Sequence, residues 1–473
     1  MIMKMTFRHI LANLAAVVAL SSCTKEVTEP VEPVIGGGER VISATFGPVS
    51  KSTLGTDGLK PVFTDGDLIT VTNGTATQIC TLSVNGSVST FRTTLAGPLK
   101  AVYPKDAAVV SNNDITGVKV LSEQTGLFKD ANIAKADIPA SSISAVFHIQ
   151  TAVLRFYVDA SIKVKNITIT GSLDIASEGS NKKQIVVDPD DALINTKTGG
   201  NPDPRLCYVA VLPNTAANTL TFTSDTDTQG TVTRTTTATL KTAGMYNAFI
   251  PYYITIGTQK WGYCNVGAFL PEDYGLYFGW GDLVGQTWNG SAWSGGGFGW
   301  SRDPANEGNS TYNAEAFNRQ KATVCPGNVL ALAYDTAYNK WGTDWRMPTG
   351  GTNAATSDFQ VLCNNTNHSC KTDHNVKGWK FTDKSNSNNS IFLPIAGLSE
   401  SGTDYKYNQT HANYWASTLY SNPQEALWLH LMENKVETNS HVNRVRGGSI
   451  RPIYDDITPS DFDPYGEGGT IFN

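Results

Sequence analysis

Val146-Phe147-His148-Ile149-Gln150-Thr151-Ala152-Val153-Leu154-Arg155-Phe156-Tyr157-Val158 is a long apolar run rich in β-branched and aromatic residues, the composition of a pleated, buried surface. Shorter runs of the same character flank it on both sides: residues 41–46, 68–72, 164–170, 207–212, 220–223, 231–240 and 246–256. Cys80, Leu82 and Val84 alternate with polar residues up to Asn85-Gly86, a strong short-range hairpin signal. Cys80 shares the apolar side of that alternation and reads as a core thiol. Helical periodicity is nearly absent from residues 41–256, so this stretch is expected to form two β-sandwiches, 41–150 and 151–256.

The chain has 473 residues, enough for two to four domains. Only 16% are charged and the net charge is −6, which gives no basic footprint for nucleic acid. Residues 1–22 have the form of a signal peptide: Lys4, Arg8 and His9, then an apolar stretch over residues 10–20. Leu20-Ser21-Ser22-Cys23 resembles a bacterial lipobox, which implies lipidation of Cys23 and anchoring by lipid alone. Residues 23–40, with Pro30, Pro33 and Gly36-Gly37-Gly38, read as a tether. Lys25-Glu26 partly matches the export signal of Bacteroidetes surface lipoproteins, and Val27 breaks it.

Residues 41–256 contain Lys51-Ser52-Thr53, Val62-Phe63-Thr64-Asp65-Gly66-Asp67-Leu68, Ala101-Val102-Tyr103-Pro104 and Tyr208-Val209-Ala210-Val211-Leu212-Pro213. By these motifs the stretch resembles the fimbrillin family of Bacteroidetes pilus subunits and related lipoproteins. The resemblance implies two transthyretin-like β-sandwiches. It also implies assembly with other pilus subunits by β-strand addition, after cleavage at a basic residue. Arg40 is the candidate processing site.

All ten tryptophans lie between Trp261 and Trp428. Such rings either fill a core or supply a flat, amphipathic ligand surface. Residues 257–454 look like the Fibrobacter succinogenes major paralogous domain, through Trp261-Gly262-Tyr263-Cys264, Phe278-Gly279-Trp280-Gly281-Asp282, Trp341-Gly342-Thr343-Asp344-Trp345-Arg346-Met347-Pro348, Tyr414-Trp415-Ala416-Ser417 and Gly448-Ser449-Ile450-Arg451-Pro452. This implies an α+β C-type-lectin-like fold, with helices expected over residues 329–340 and 357–364. Arg346 and Arg451 are expected to hold carbonyls or a carboxylate. Residues 455–473 form an acidic tail. The fold class is therefore mainly β, with two sandwiches and a lectin-like domain.

Trp288, Trp293 and Trp300 sit in a Gly-, Ser- and Asn-rich stretch, residues 285–301. Such a stretch buries three indoles poorly, so these are the candidate ligand-binding residues, for a host or microbial glycan or a protein. A Cys363–Cys370 disulfide is expected in an exported domain, although Cys264 and Cys325 allow other pairings. Cys363, His368, Cys370 and His374 lack familiar zinc-finger spacing, and the Glu-Pro-Asn signature of calcium-dependent lectins is absent. Neither a metal nor another cofactor is expected. No hydrolase or phosphate-loop motif occurs, so the chain is not expected to be an enzyme.

Together these features point to an outer-membrane, cell-surface lipoprotein acting as a pilus (fimbrial) tip or accessory adhesin. The alternative is a non-polymerising lipoprotein that captures glycan for nutrient uptake.

Overall fold

The long apolar run is cut in two. Its first half ends the strand Ser144–Ile149, which alternates exposed and buried residues, and its second half forms Ala152–Tyr157, buried throughout. The two lie in different sheets. A strand with one solvated face needs alternation, whereas a strand covered on both faces tolerates a continuous apolar sequence. The computed structural model describes residues 38–47, 61–189, 203–294, 321–400 and 404–455. Strands make up 48% of it and helices 9%. The chain is mainly β and multi-domain.

In the first unit the margins of the sheets expected from the sequence are joined. Seven strands close into a barrel in the order Arg40–Phe46, Ser144–Ile149, Ala134–Ile138, Leu99–Tyr103, Leu68–Thr72, Thr77–Asn85, Val88–Thr93. Closure depends on Arg40–Phe46, which runs parallel to Ser144–Ile149 and antiparallel to Val88–Thr93. Such closure removes the unpaired edges of an open sheet. Ile42, Ile69, Val71, Leu82 and Phe91 fill the interior, and Phe63 packs edge-on against Tyr103 and Phe147. Cys80 lies in this core as a free thiol, pushed up to about 11 by burial. The Asn85-Gly86 hairpin forms, but its two loop residues are Gly86 and Ser87, because Asn85 pairs with Val88. Gly86 has φ +60°, as a two-residue loop with glycine first requires.

The second unit stacks the three-stranded sheet Leu206–Val211, Ala152–Tyr157, Met245–Asn247 on a five-stranded one. The latter runs Gly230–Ala238, Asn218–Thr226, Val164–Gly171, Gln184–Val187, Glu123–Gln124. Phe156 and Phe222 meet edge-on between the layers at 5.2 Å. Glu123–Gln124 comes from the barrel's own sequence range and pairs with Gln184–Val187, so the first two units interlock.

The third unit is irregular. Its four-stranded sheet is Tyr253–Ile256, Gln259–Gly262, Ile453–Tyr454, Trp345–Arg346. The expected division at residues 256/257 falls inside the hairpin between the first two of these strands, at Gly257 with φ +60°. Two three-stranded sheets, one of them His411–Leu419, Glu425–Met432, Lys435–Asn443, complete the frame. The helix Asp358–Asn365 is capped by Ser357, which accepts from the Gln360 N–H. The helix expected over residues 329–340 is shortened to Thr336–Trp341, because the Asp335 carboxylate caps it by accepting from Tyr338.

Trp261, Trp280, Trp341, Trp345, Trp379, Trp415 and Trp428 are buried; they are core. Arg346 binds the Asp358 carboxylate at 2.6 Å. Arg451, fully buried, donates to the carbonyls of Gly262, Tyr263 and Phe392 and to Asn265 Oδ1. Both arginines hold the groups the motifs lead one to expect.

The second and third units share one continuous apolar core. At their junction Tyr157 stacks on Tyr263 at 4.6 Å, with ring planes 8° apart. Arg205 clamps the Glu272 carboxylate with two hydrogen bonds of 2.9 and 2.7 Å and also holds Asp203. Burial works against the Arg205 charge, but the hydrogen bonds and charges of Glu272 and Asp203 outweigh it and hold the guanidinium above its ordinary value.

Candidate functional site

Thr287–Trp288 and Trp293–Ser294 form a small hairpin in which Trp288 pairs with Trp293. Asn289 shapes its turn: its side-chain oxygen accepts from the N–H groups of Ser291 and Ala292. Gly290 sits at φ +99°. Opposed residues of a ladder project to the same side, so the two indoles lie together, 5.2 Å apart. Trp288 stacks on Tyr405 at 5.3 Å, and Trp293 meets Tyr277 edge-on at 5.2 Å. Both indoles are half-buried.

The supporting rings are pinned from behind. The hydroxyls of Tyr277 and Tyr405 both donate to the Ala396 carbonyl, at 2.5 and 2.8 Å. Tyr274 donates to Asn408 Oδ1. Burial pushes the Tyr405 phenol up to about 12 and Tyr277 higher still, so both stay neutral. The result is a ledge of indole and phenol rings, its phenols pinned by hydrogen bonds and its rings free of formal charge. Neutral rings with fixed orientation suit a ligand that is apolar on one face and hydroxylated at its edge.

Gly285, which leads into the hairpin, has φ +74°, and a Cβ there would come within 2.4 Å of the Phe278 ring. Glycine is thus required both by conformation and by the close approach of that ring.

The other candidates separate. Trp300 and Cys23 lie outside the described residues. Arg40 is the first residue of a barrel strand and pairs with Thr93. Its guanidinium donates to the carbonyls of Gly97, Ala140 and Ser142. The proposed cleavage point therefore lies inside a ladder rather than ahead of it. The expected Cys363–Cys370 disulfide is corrected: both are free thiols. Cys363 lies in the helix Asp358–Asn365, whereas Cys370 lies well along the following strand, Thr366–Asp373. Four extended residues from Thr366 to Cys370 span about 13 Å, and a disulfide needs Cα atoms within about 7 Å. His368 stacks on Phe381. Among the described residues no group of three or more His, Cys, Asp or Glu is placed to hold a metal ion, and no helix is long and apolar enough to cross a membrane.

Tyr405 and Gln286 were not singled out by sequence reasoning. Gln286 carried a faint signal, since it stands two residues before Trp288 and shares its face in any strand. Tyr405 carried none, because its contact with Trp288 spans more than a hundred residues of chain.

No family model matches the chain, and no curated protein matches it. A crystal structure of a candidate cell adhesion protein from Bacteroides ovatus is similar at 15% identity, covering 45% of this chain and 91% of that one, with a TM-score of 0.28. A score that low carries no argument about fold or role.

Proposed function

We propose that this chain is an exported cell-surface adhesin whose third unit binds neutral carbohydrate on the ledge of Trp288, Trp293 and Tyr405. The observation that carries this reading is the half-exposed indole pair backed by two pinned tyrosines. Seven of the tryptophans are core; these two are offered to solvent from a polar loop and rest on neutral phenol rings. The barrel and the second unit serve as the stem, with Cys23 as the lipid anchor and a fimbrial tip or accessory position as the site of action.

Trp288→Ala/Trp293→Ala is expected to abolish carbohydrate binding on a glycan array. Each lost stacking contact removes about 0.5–1.5 kcal/mol beyond its buried area. The melting temperature should stay near that of the parent, since neither ring is in the main core. Retained array signal in the folded variant would sink the proposal.

One observation favours the capture reading over the fimbrial one. Arg40–Phe46 is paired on both sides, so the barrel offers no open groove between those neighbours for another subunit's strand. Mass spectrometry of the native N-terminus bears on the choice: a start at Val41 favours pilus assembly, and an acylated Cys23 leaves the capture reading open.

A further inference from the structure

We propose that the buried face behind the Trp288–Trp293 hairpin recognises an acetamido sugar, with the Gln286 carboxamide pairing to the ligand's amide. This rests on the carbohydrate reading above and narrows it to N-acetylhexosamines.

Four short segments are stitched side by side here. Gln286 and Tyr277 exchange both backbone hydrogen bonds, as do Phe278 and Gly448, and Ser399 and Gly447, all at 2.9 Å. Opposed residues share a face, and successive residues alternate. Gln286 therefore lies on the face of Tyr277 and, two residues on, of Trp288. Tyr277 precedes Phe278, which places it on the side of Gly447 and, two residues further, of Ser449. Ser399, opposite Gly447, faces the same way. One surface thus carries Gln286, Ser399, Ser449, Tyr277 and the Trp288 indole.

Gln286 is 2% exposed, and Ser399 and Ser449 are fully buried. Among the described residues, neither amide atom of Gln286 and neither serine hydroxyl has a hydrogen-bond partner. Folded interiors satisfy nearly all such groups. Three side chains with unspent hydrogen bonds on one face, beside the indole pair, mark a place where a ligand supplies them.

The chemistry of the set selects the ligand. A carboxamide presents N–H donors and a carbonyl acceptor in one plane; its complement is another amide, with one acceptor and one donor side by side. Serine hydroxyls accept or donate to sugar hydroxyls. The rings receive the C–H face of the pyranose and the acetyl methyl. No member of the face is ionised, so a uronate or sialate carboxylate would lose its hydration without gaining a cation. The nearby Glu400 is already paired with Arg446 and Lys406. The hairpin is a two-rung ladder, so lifting it to admit a ligand breaks few backbone bonds.

The test titrates the full chain with N-acetylglucosamine and N-acetylgalactosamine, and with the parents glucose and galactose, by ligand-observed NMR. The acetamido sugars are expected to bind at least about tenfold tighter, since a site built to pair a polar group discriminates against a ligand lacking it. Gln286→Met is expected to erase that preference while leaving weak binding of the parents. It should also raise the melting temperature of the unliganded chain, because an unpaired buried amide is replaced by an apolar side chain. Equal binding of acetamido and parent sugars, or a preference that survives Gln286→Met, overturns the inference and leaves the ledge reading standing. Failure of every sugar to bind overturns both. The wild-type comparison requires no variant, so the proposal stays open to refutation even if Gln286→Met does not fold.

Discussion

Arg451→Met lowers the stability of the third unit by roughly 3–5 kcal/mol. The side chain is fully buried and donates to the carbonyls of Gly262, which ends one strand, of Tyr263 just after it and of Phe392 in another strand, and to the amide oxygen of Asn265. Methionine fills much of the volume but donates nothing. The carbonyls of Gly262, Tyr263 and Phe392 then lose their charged donor, and each orphaned buried acceptor costs about 1–3 kcal/mol. Asn265 also loses its orientation; its amide nitrogen donates to the Tyr274 carbonyl beneath the aromatic ledge. The measurement is urea unfolding followed by tryptophan fluorescence. Every tryptophan lies between Trp261 and Trp428, so this signal reports the third unit and, through Trp341 packed on Phe249, its junction with the second. Unfolding at the parent's urea midpoint would refute the assignment of Arg451 as the organiser of this unit.

Arg205→Ala is expected to cost a similar amount, about 3–5 kcal/mol, by stranding a buried carboxylate. Glu272 is held by two guanidinium hydrogen bonds, and the side-chain exposures of the pair are 14% and 9%. After the substitution its nearest cationic candidate is His374, 3.9 Å away and half exposed. Glu272→Ala should be less harmful, because Arg205 keeps Asp203. The double variant should be more stable than the sum of the single losses predicts, which is the sign of direct coupling. Since the pair bridges the second and third units, Arg205→Ala should also separate the fluorescence transition from the far-ultraviolet dichroism transition. A loss below about 1 kcal/mol would be that of a solvated surface pair.

Class and core were legible wherever neighbouring residues decide the outcome. Alternation over Cys80, Leu82 and Val84 placed Cys80 inside, and it is inside. The arginines of the Trp345-Arg346 and Ser449-Ile450-Arg451 motifs hold what was expected of them. Ser357 starts a helix, as a residue able to cap the first turn should. Other local signals were blunted by a neighbour: Asp335 took over as a helix cap and shortened the expected segment, and Asn85 was drawn into the ladder. What the sequence hid depends on pairing across long stretches of chain. Nothing near Arg40 announces that it joins a strand beginning a hundred residues later. The ledge was half visible, because glycine and asparagine around Trp288 and Trp293 forecast exposure. Its backing by Tyr277 and Tyr405, and the set formed by Gln286, Ser399 and Ser449, are products of tertiary register.

The parallel pairing of Arg40–Phe46 with Ser144–Ile149 has a mechanical meaning. The chain enters the barrel at the start of the first strand and leaves it at the end of the second, and in a parallel pair these points lie at opposite ends. A pull applied to the chain at these two points therefore slides the two strands lengthwise past each other. The inter-strand hydrogen bonds bear such a load together, whereas an antiparallel pair drawn from the same points would be peeled open one rung at a time.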